Sequence, residues 1–243
     1  MLPEAPLLAA FAFAGALIFG VTGFGSALIT IPLATHFVPL PLALALFAVV
    51  DLACALAVGL ENPRNAVRGE WLRLMPAILV GTALGVTLLV SLPRAAGTAL
   101  LGAFVVSYAL YSLARHAPAK VVRAAWGWLA GLAGGITSTL FGAGGPPYAI
   151  YLSHRGLTKE QFRATMGFAT MTSISLRVVA FFLTGLLVDR RVWLSEVLMV
   201  PAALAGILVA RKLFLRISRE LLLRLVALLL LASGGSLLVR ALG

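Results

Sequence analysis

Two ionisable residues stand in stretches otherwise built for lipid. Asp51 lies in LFAVVDLACAL (46–56) and Arg177 in MTSISLRVVAFFL (171–183). A charge at the middle of a bilayer costs about 2.5–3.5 kcal/mol on insertion scales, so a chain that keeps one there has a use for it. Two uses fit. Asp51 and Arg177 can form an ion pair that locks two helices together. Alternatively, Arg177 can offer two parallel N–H donors to an oxyanion, with Asp51 as its resting counter-ion or as a proton-coupling carboxylate. Thr170 and Ser173 share a helical face with Arg177 and could line the same cavity. The plainer role for such hydroxyls is back-bonding to the carbonyl four residues earlier.

Glycine supplies the second chemical signal. GVTGFGSALITIPL (20–33) and LFGAGGPPYAIYL (140–152) interrupt apolar runs near their centres. Unpaired backbone groups cost several kcal/mol each in hydrocarbon, so a broken helix survives there only where protein buries it or where it lines a wet cavity. A half-helix that restarts after such a break points free N–H groups and a positive dipole end at its surroundings, which suits an anion. Gly23 and Gly25 in the first run, and Gly142, Gly144 and Gly145 in the second, permit the turns and a close backbone approach. Pro146 and Pro147 suit the first turn of the following half-helix. Ser26, in the place of Gly145, can cap the half-helix of the first run. The plainer role for the glycines is helix packing, but two breaks in matching positions favour a paired binding site at the midplane.

The elements that must carry these residues follow from composition. The chain has 243 residues, 61% hydrophobic and 11% charged, with apolar runs of about 20 residues from end to end. This composition predicts an all-α polytopic membrane protein and excludes a soluble domain. Eight apolar segments occupy 7–37, 41–60, 71–91, 95–114, 125–153, 162–188, 193–210 and 220–241. The first and fifth hold the glycine breaks. The chain also repeats. A shift of 119 places Gly23 on Gly142, one of 122 places Trp71 on Trp193, and one of 125 places Pro76 on Pro201 and Gly81 on Gly206. Each half is a broken segment followed by three intact ones, giving a first repeat at 1–115, a connecting loop at 116–124 and a second repeat at 125–243.

Charge decides how the broken segments run. With every segment crossing once, the 18 Lys and Arg residues other than Arg177 divide evenly between the two sides. With each broken segment dipping in and returning as a hairpin, one side collects Arg64, Arg68, Arg73, Arg115, Lys120, Arg123, Arg155, Lys159, Arg163, Arg211, Lys212, Arg216, Arg219 and Arg224. The other keeps Arg94, Arg190, Arg191 and Arg240. Only the hairpin arrangement gives a positive-inside bias. It makes the repeats inverted, places both termini outside and puts the 116–124 loop in the cytoplasm. Trp71, Trp126, Trp128 and Trp193 stand at segment starts, where indole rings anchor at the interface.

Other functions find little support. The net charge of +11 follows from basic loops rather than from a nucleic-acid-binding domain. His36, His116 and His154 stand at segment ends, far apart in sequence. With a single cysteine, Cys54, no metal-ligand spacing arises. No nucleotide-binding loop or nucleophile elbow is present, so neither a cofactor nor an enzyme activity is expected. The N-terminus carries Glu4 and no basic residue before Arg64, unlike a signal peptide, and reads as mature chain. A transporter driven by protons, another ion or the solute's own gradient fits best. A passive anion channel is the nearest rival, ahead of a membrane-embedded enzyme or structural subunit. A homo-oligomer is compatible with all of these.

The sequence resembles the TauE/SafE-type family of sulfite and organosulfur-anion permeases. The resemblance rests on GFGSALITIPL (23–33), FGAGGPPYAIYL (141–152) and FRATMGFATMTSISLRVVAFFLTGLL (162–187), and it extends over essentially the whole chain. The family's fuller glycine run is reduced in the first half, where Ser26 and Ala27 follow Gly25. The resemblance implies a bacterial cytoplasmic-membrane exporter or permease for small sulfur-containing oxyanions such as sulfite, thiosulfate or sulfonates.

Overall fold

A computed structural model describes residues 2–114, 121–213 and 219–242. Arg115, His116, Lys120 and Arg216 lie outside the described residues. Ten α-helices account for nearly all of it: α1 (Ala5–Thr22), α2 (Ser26–Ala34), α3 (Leu40–Gly59), α4 (Arg68–Ser91), α5 (Arg94–Ala114), α6 (Trp126–Phe141), α7 (Gly145–Ser153), α8 (Lys159–Leu183), α9 (Arg190–Leu213) and α10 (Arg219–Leu242). Among the described residues five of them, α3, α4, α5, α8 and α9, are long and apolar enough to cross a membrane.

The first and fifth apolar segments each divide into two helices at the glycines. α1 ends on Gly23 (φ 80°), Gly25 (φ 96°) precedes α2, and α6 ends on Gly142 (φ 71°). These left-handed conformations cost a side-chain-bearing residue roughly 1–2 kcal/mol. Gly144 and Gly145 play a different part. Gly144 has an ordinary helical φ of −72°, and a Cβ on it would lie 2.8 Å from the carbonyl of Gly134. Their smallness serves close approach, and Gly142 alone makes the turn. Pro146 and Pro147 fall in the first turn of α7, where a missing N–H leaves no bond unmade.

Each break folds its two helices back on one another. Gly15 of α1 faces the Thr30 methyl of α2, and Gly134 of α6 faces the ring of Tyr148 on α7, both too closely for any side chain on the glycine. The two hairpins open on opposite faces of the molecule. On one face Glu61 and Val67, flanking the α3–α4 turn, meet Arg163 and Thr165 of α8, and Val122 bonds the carbonyl of His154 just after α7. On the other face Leu2 bonds Ser195 near the start of α9, and His36 after α2 meets Ser236 near the end of α10. The first is called here the basic face, because Arg68, Arg73, Arg123, Arg155, Lys159, Arg163, Arg211 and Lys212 belong to segments that end there.

The halves also exchange packing partners. α1 packs on α9 as α6 packs on α4, and α3 contacts both α8 and α9 as α8 contacts both α3 and α4. The contacts repeat residue by residue. A Cβ on Gly206 would stand 2.5 Å from the Phe13 carbonyl oxygen, and one on Gly81 would overlap the carbonyl oxygen of Leu132. Gly81 and Gly206 match under the shift of 125, and Phe13 and Leu132 under that of 119. A second contact changes which side is small. Gly20 faces Ala210 in one half, whereas Gly85 faces Thr139 in the other. Small residues let backbones approach in lipid, where association rests on packing rather than on water release.

Candidate functional site

The two breaks meet at the centre of the molecule. α3 and α8 bring Asp51 and Arg177 there, and these helices touch through Gly59 and Gly167 at their basic-face ends. Asp51 and Arg177 are both fully enclosed. Arg177 Nη2 donates to Asp51 Oδ2 at 2.8 Å. Arg177 Nη1 donates to the carbonyl of Ser138 at 3.0 Å, which also accepts the Gly142 N–H. The remaining donor of Arg177, Nε, has no partner, and neither does the Ser138 hydroxyl.

Asp51 is held on its other side by Ser26, whose Oγ donates to Oδ1 at 2.6 Å. This corrects the capping role expected for Ser26. The N-cap of α2 is Gly25, no side chain caps it, and Ser26 is the first helical residue. A capping oxygen must come from the residue before the helix, and from the first helical position the Ser26 hydroxyl is free to donate to the carboxylate instead.

A cavity of about 20 Å³ adjoins the ion pair, enough for about one water. Its lining includes Gly25 and Ser26 at the start of α2, Gly144 and Gly145 at the start of α7, Asp51 and Ser173. Gly142 also lines it, and a Cβ there would lie 3.0 Å from Arg177 Nη1. Gly23, by contrast, has nothing within 4 Å of such a Cβ and acts in the turn alone. Thr170 reaches the cavity, but its hydroxyl donates back to the Met166 and Gly167 carbonyls at 2.9 and 3.0 Å. The helical back-bond therefore takes the proton that Thr170 would have offered a ligand. Ser173 instead accepts from the fully buried Tyr148 hydroxyl at 3.0 Å.

A larger cavity, about 280 Å³, opens near the face opposite the basic one. Thr35 and Pro39 line it on one side, Leu92 and Pro93 on another, and Leu140 and Phe141 at the α6 end. Phe141 stacks on Phe104 with ring centroids 5.2 Å apart. The two cavities thus share the α6–α7 break, Leu140 and Phe141 lining one and Gly142–Gly145 the other.

Two further charged groups escape a reading by span. Glu70, 5% exposed, gathers Arg155 (2.8 Å), Arg73 (2.9 Å) and the Tyr151 hydroxyl near the basic face. Hydrogen bonding to Glu70 holds the Arg155 guanidinium above its ordinary pKa. Arg155 also donates to the Val122 carbonyl at 2.6 Å and so ties the end of α7 to the approach to α6. Glu196 of α9 is buried with neither oxygen partnered. Glu196 falls close to the start of its apolar segment, where charges are usually interfacial, and Glu70 precedes its segment altogether.

Long apolar helices and two hairpins dipping from opposite faces to a buried ion pair define a multi-pass membrane protein. The sequence matches the family described as sulfite exporter TauE/SafE over residues 7–237, and the chain belongs to that family. No curated protein and no solved structure matches it.

Proposed function

We propose that the protein is a secondary transporter, a permease or exporter of small sulfur-containing oxyanions such as sulfite, thiosulfate or sulfonates. It works by alternating access between two inverted repeats, in a bacterial cytoplasmic membrane, with its basic face in the cytosol and both termini outside. One observation carries the reading: the starts of α2 and α7, Asp51 and Ser173 border one cavity, and Arg177 is held against Asp51 just behind that lining. Two positive helix ends converge on this space, and the guanidinium behind Asp51 becomes available to an anion once the pair parts.

In the closed arrangement the Asp51 carboxylate occupies the position an oxyanion would take on Arg177. Transport then begins with an exchange of partners. The oxyanion replaces Asp51 on the guanidinium, Nε supplies a further donor, and the N–H groups of the first turn of α2 and of Gly145, ahead of the two prolines of α7, complete the shell. A cavity the size of one water is too small for a sulfur oxyanion, so the hairpins must part to admit it. The exchange of packing partners between the halves supports a rocking motion in which each hairpin moves with the α4 or α9 helix of the other half.

Thermal-shift measurements on purified protein against sulfite, thiosulfate, methanesulfonate and acetate test the ligand class. A stabilisation confined to the sulfur oxyanions is expected, and a response to acetate alone overturns the reading. Flux into proteoliposomes separates a transporter from a channel, because a channel does not accumulate the anion against its electrochemical gradient.

A further inference from the structure

Glu196 is 6% exposed and lies on the buried stripe of α9 between Val192 and Met199, both wholly enclosed. Every other buried charge among the described residues has an opposite charge 2.8 Å away: Asp51 and Arg177 hold each other, and Glu70 holds Arg155. Glu196 has no hydrogen-bond partner on either oxygen. α1 and α3 pack on α9. α1 bears no titratable side chain, and Glu4 stands at its N-cap. α3 bears Asp51 and Cys54. On α9 itself Arg191 is turned to Asp189, Arg190 adjoins it, and Arg211 and Lys212 lie at the far end.

A bare carboxylate in such surroundings is costly enough that its charge must be cancelled by something it binds. A hard cation needs several oxygen ligands. α3 offers no side-chain oxygen but those of Asp51, and the neighbouring Ser195 hydroxyl already accepts from the Leu2 N–H and donates to the Arg191 carbonyl. A proton needs nothing but the carboxyl itself.

Position adds a destination. α3 and α9 run in the same direction, since Arg211 near the end of α9 reaches the Ala57 carbonyl and Glu61 at the end of α3. Glu196 is six residues into α9 and Asp51 eleven into α3. At ~1.5 Å per residue, Glu196 sits roughly one to two turns nearer the face opposite the basic one.

We propose that Glu196 is a proton-binding site that supplies the Asp51–Arg177 pair, so that anion movement is coupled to a proton. This rests on the transport reading above. The proton passes from the Glu196 carboxyl to the Asp51 carboxylate through water. Neutral Asp51 releases Arg177 to the oxyanion, and Glu196, now a carboxylate, takes a proton from the face nearer to it. One proton moves for each exchange of partners at Arg177.

The test uses proteoliposomes with an entrapped pH dye and a gradient of thiosulfate, which does not titrate near neutrality. The wild-type protein should move protons with thiosulfate. Glu196→Gln should still be stabilised by thiosulfate, while its thiosulfate flux and the proton flux that accompanies it fall together at least tenfold. Proton flux undiminished in Glu196→Gln, or wild-type thiosulfate transport without protons, overturns the proposal and leaves the transport reading standing. If the wild type neither binds nor carries thiosulfate, sulfite or methanesulfonate, it is the transport reading that fails. Infrared difference spectra between low and high pH then still decide the proton site. A protonated-carboxyl band lost in Glu196→Gln supports it, and identical spectra overturn it.

Discussion

Arg177 donates through Nη1 to the carbonyl of Ser138 at 3.0 Å and so sets its charge at the C-terminal end of α6. That end is the negative pole of the helix, and a guanidinium there is favourable. The same side chain holds Asp51 through Nη2. One residue of α8 therefore fastens both a central helix and the tip of a hairpin. An oxyanion that takes Arg177 from Asp51 acts on the hairpin as well.

Removing either partner of the pair should destabilise the protein by about 3–5 kcal/mol, because the other charge is left buried and unpaired. Asp51→Leu with Arg177→Leu should recover much of that loss. Thermal unfolding of the two single variants and the double variant gives the coupling. The double variant should fold yet show no stabilisation by sulfite or thiosulfate. Sulfite binding at wild-type strength in that variant would remove Arg177 from the site.

The two positive-φ glycines that end α1 and α6 should differ on substitution. Gly23→Ala meets open space and carries only the left-handed backbone cost of roughly 1–2 kcal/mol. Gly142→Ala carries that cost and also places a methyl 2.8 Å from Ala27 Cβ and 3.0 Å from Arg177 Nη1. Anion-induced thermal shifts should persist in Gly23→Ala and disappear in Gly142→Ala. Equal behaviour would mean that the tip of the second hairpin is not part of the site.

Much of this architecture was legible because membrane chains carry their signals in residue type. Two glycine clusters in apolar runs announced the breaks, whereas Asp51 and Arg177 marked themselves as functional charges without deciding between an ion pair and a ligand site. Hydroxyl roles were harder to read. Ser26 stands where a helix restarts and so resembles a cap, but its partner comes from α3, 25 residues on. The Glu70–Arg155 pair joins loop-proximal residues 85 apart, and no local pattern links them. Glu196 was hidden by its place near the start of a segment. Only the packing of α9 on α1 and α3 shows that this turn is enclosed.

Gly81 and Gly206 occupy equivalent contacts in the two halves, so valine at either should have similar effects. Each replacement drives a side chain into a backbone carbonyl, that of Leu132 or that of Phe13. A loss of about 1–3 kcal/mol is expected for each, as for overpacked cores. Thermal unfolding of Gly81→Val and Gly206→Val checks the equivalence. A large loss in one with none in the other would contradict the pairing of α4 with α6 and of α9 with α1.

Glu70 should matter to structure rather than to binding. Glu70→Ala strips Arg155 of its carboxylate and leaves the Tyr151 hydroxyl only the Ala124 carbonyl at 3.3 Å, costing about 1–3 kcal/mol. Hydrogen exchange should quicken at Val122 and around His154, where α7 is tied to the approach to α6. Sulfite-induced stabilisation should survive. Unchanged exchange at Val122 would show that the Arg155 contact to its carbonyl suffices alone.

The opposed hairpins make a definite prediction for the membrane. Asn65 and Ala125 are exposed near the basic face, and Ser91 and Val188 near the other. Cys54, the one native cysteine, is fully buried and gives little background labelling. Single cysteines at Ser91 and Val188 should react with a membrane-impermeant maleimide on intact cells. Those at Asn65 and Ala125 should react only after permeabilisation, because the positive-inside rule puts the basic face in the cytosol. Asn65 and Ala125 lie either side of α4 and α5, with Ser91 between them. If each of these helices crosses once, Asn65 and Ala125 must share a side that Ser91 does not. Labelling of Asn65 and Ser91 from the same side would deny the crossing of α4, and the reversed pattern would invert the molecule in the bilayer.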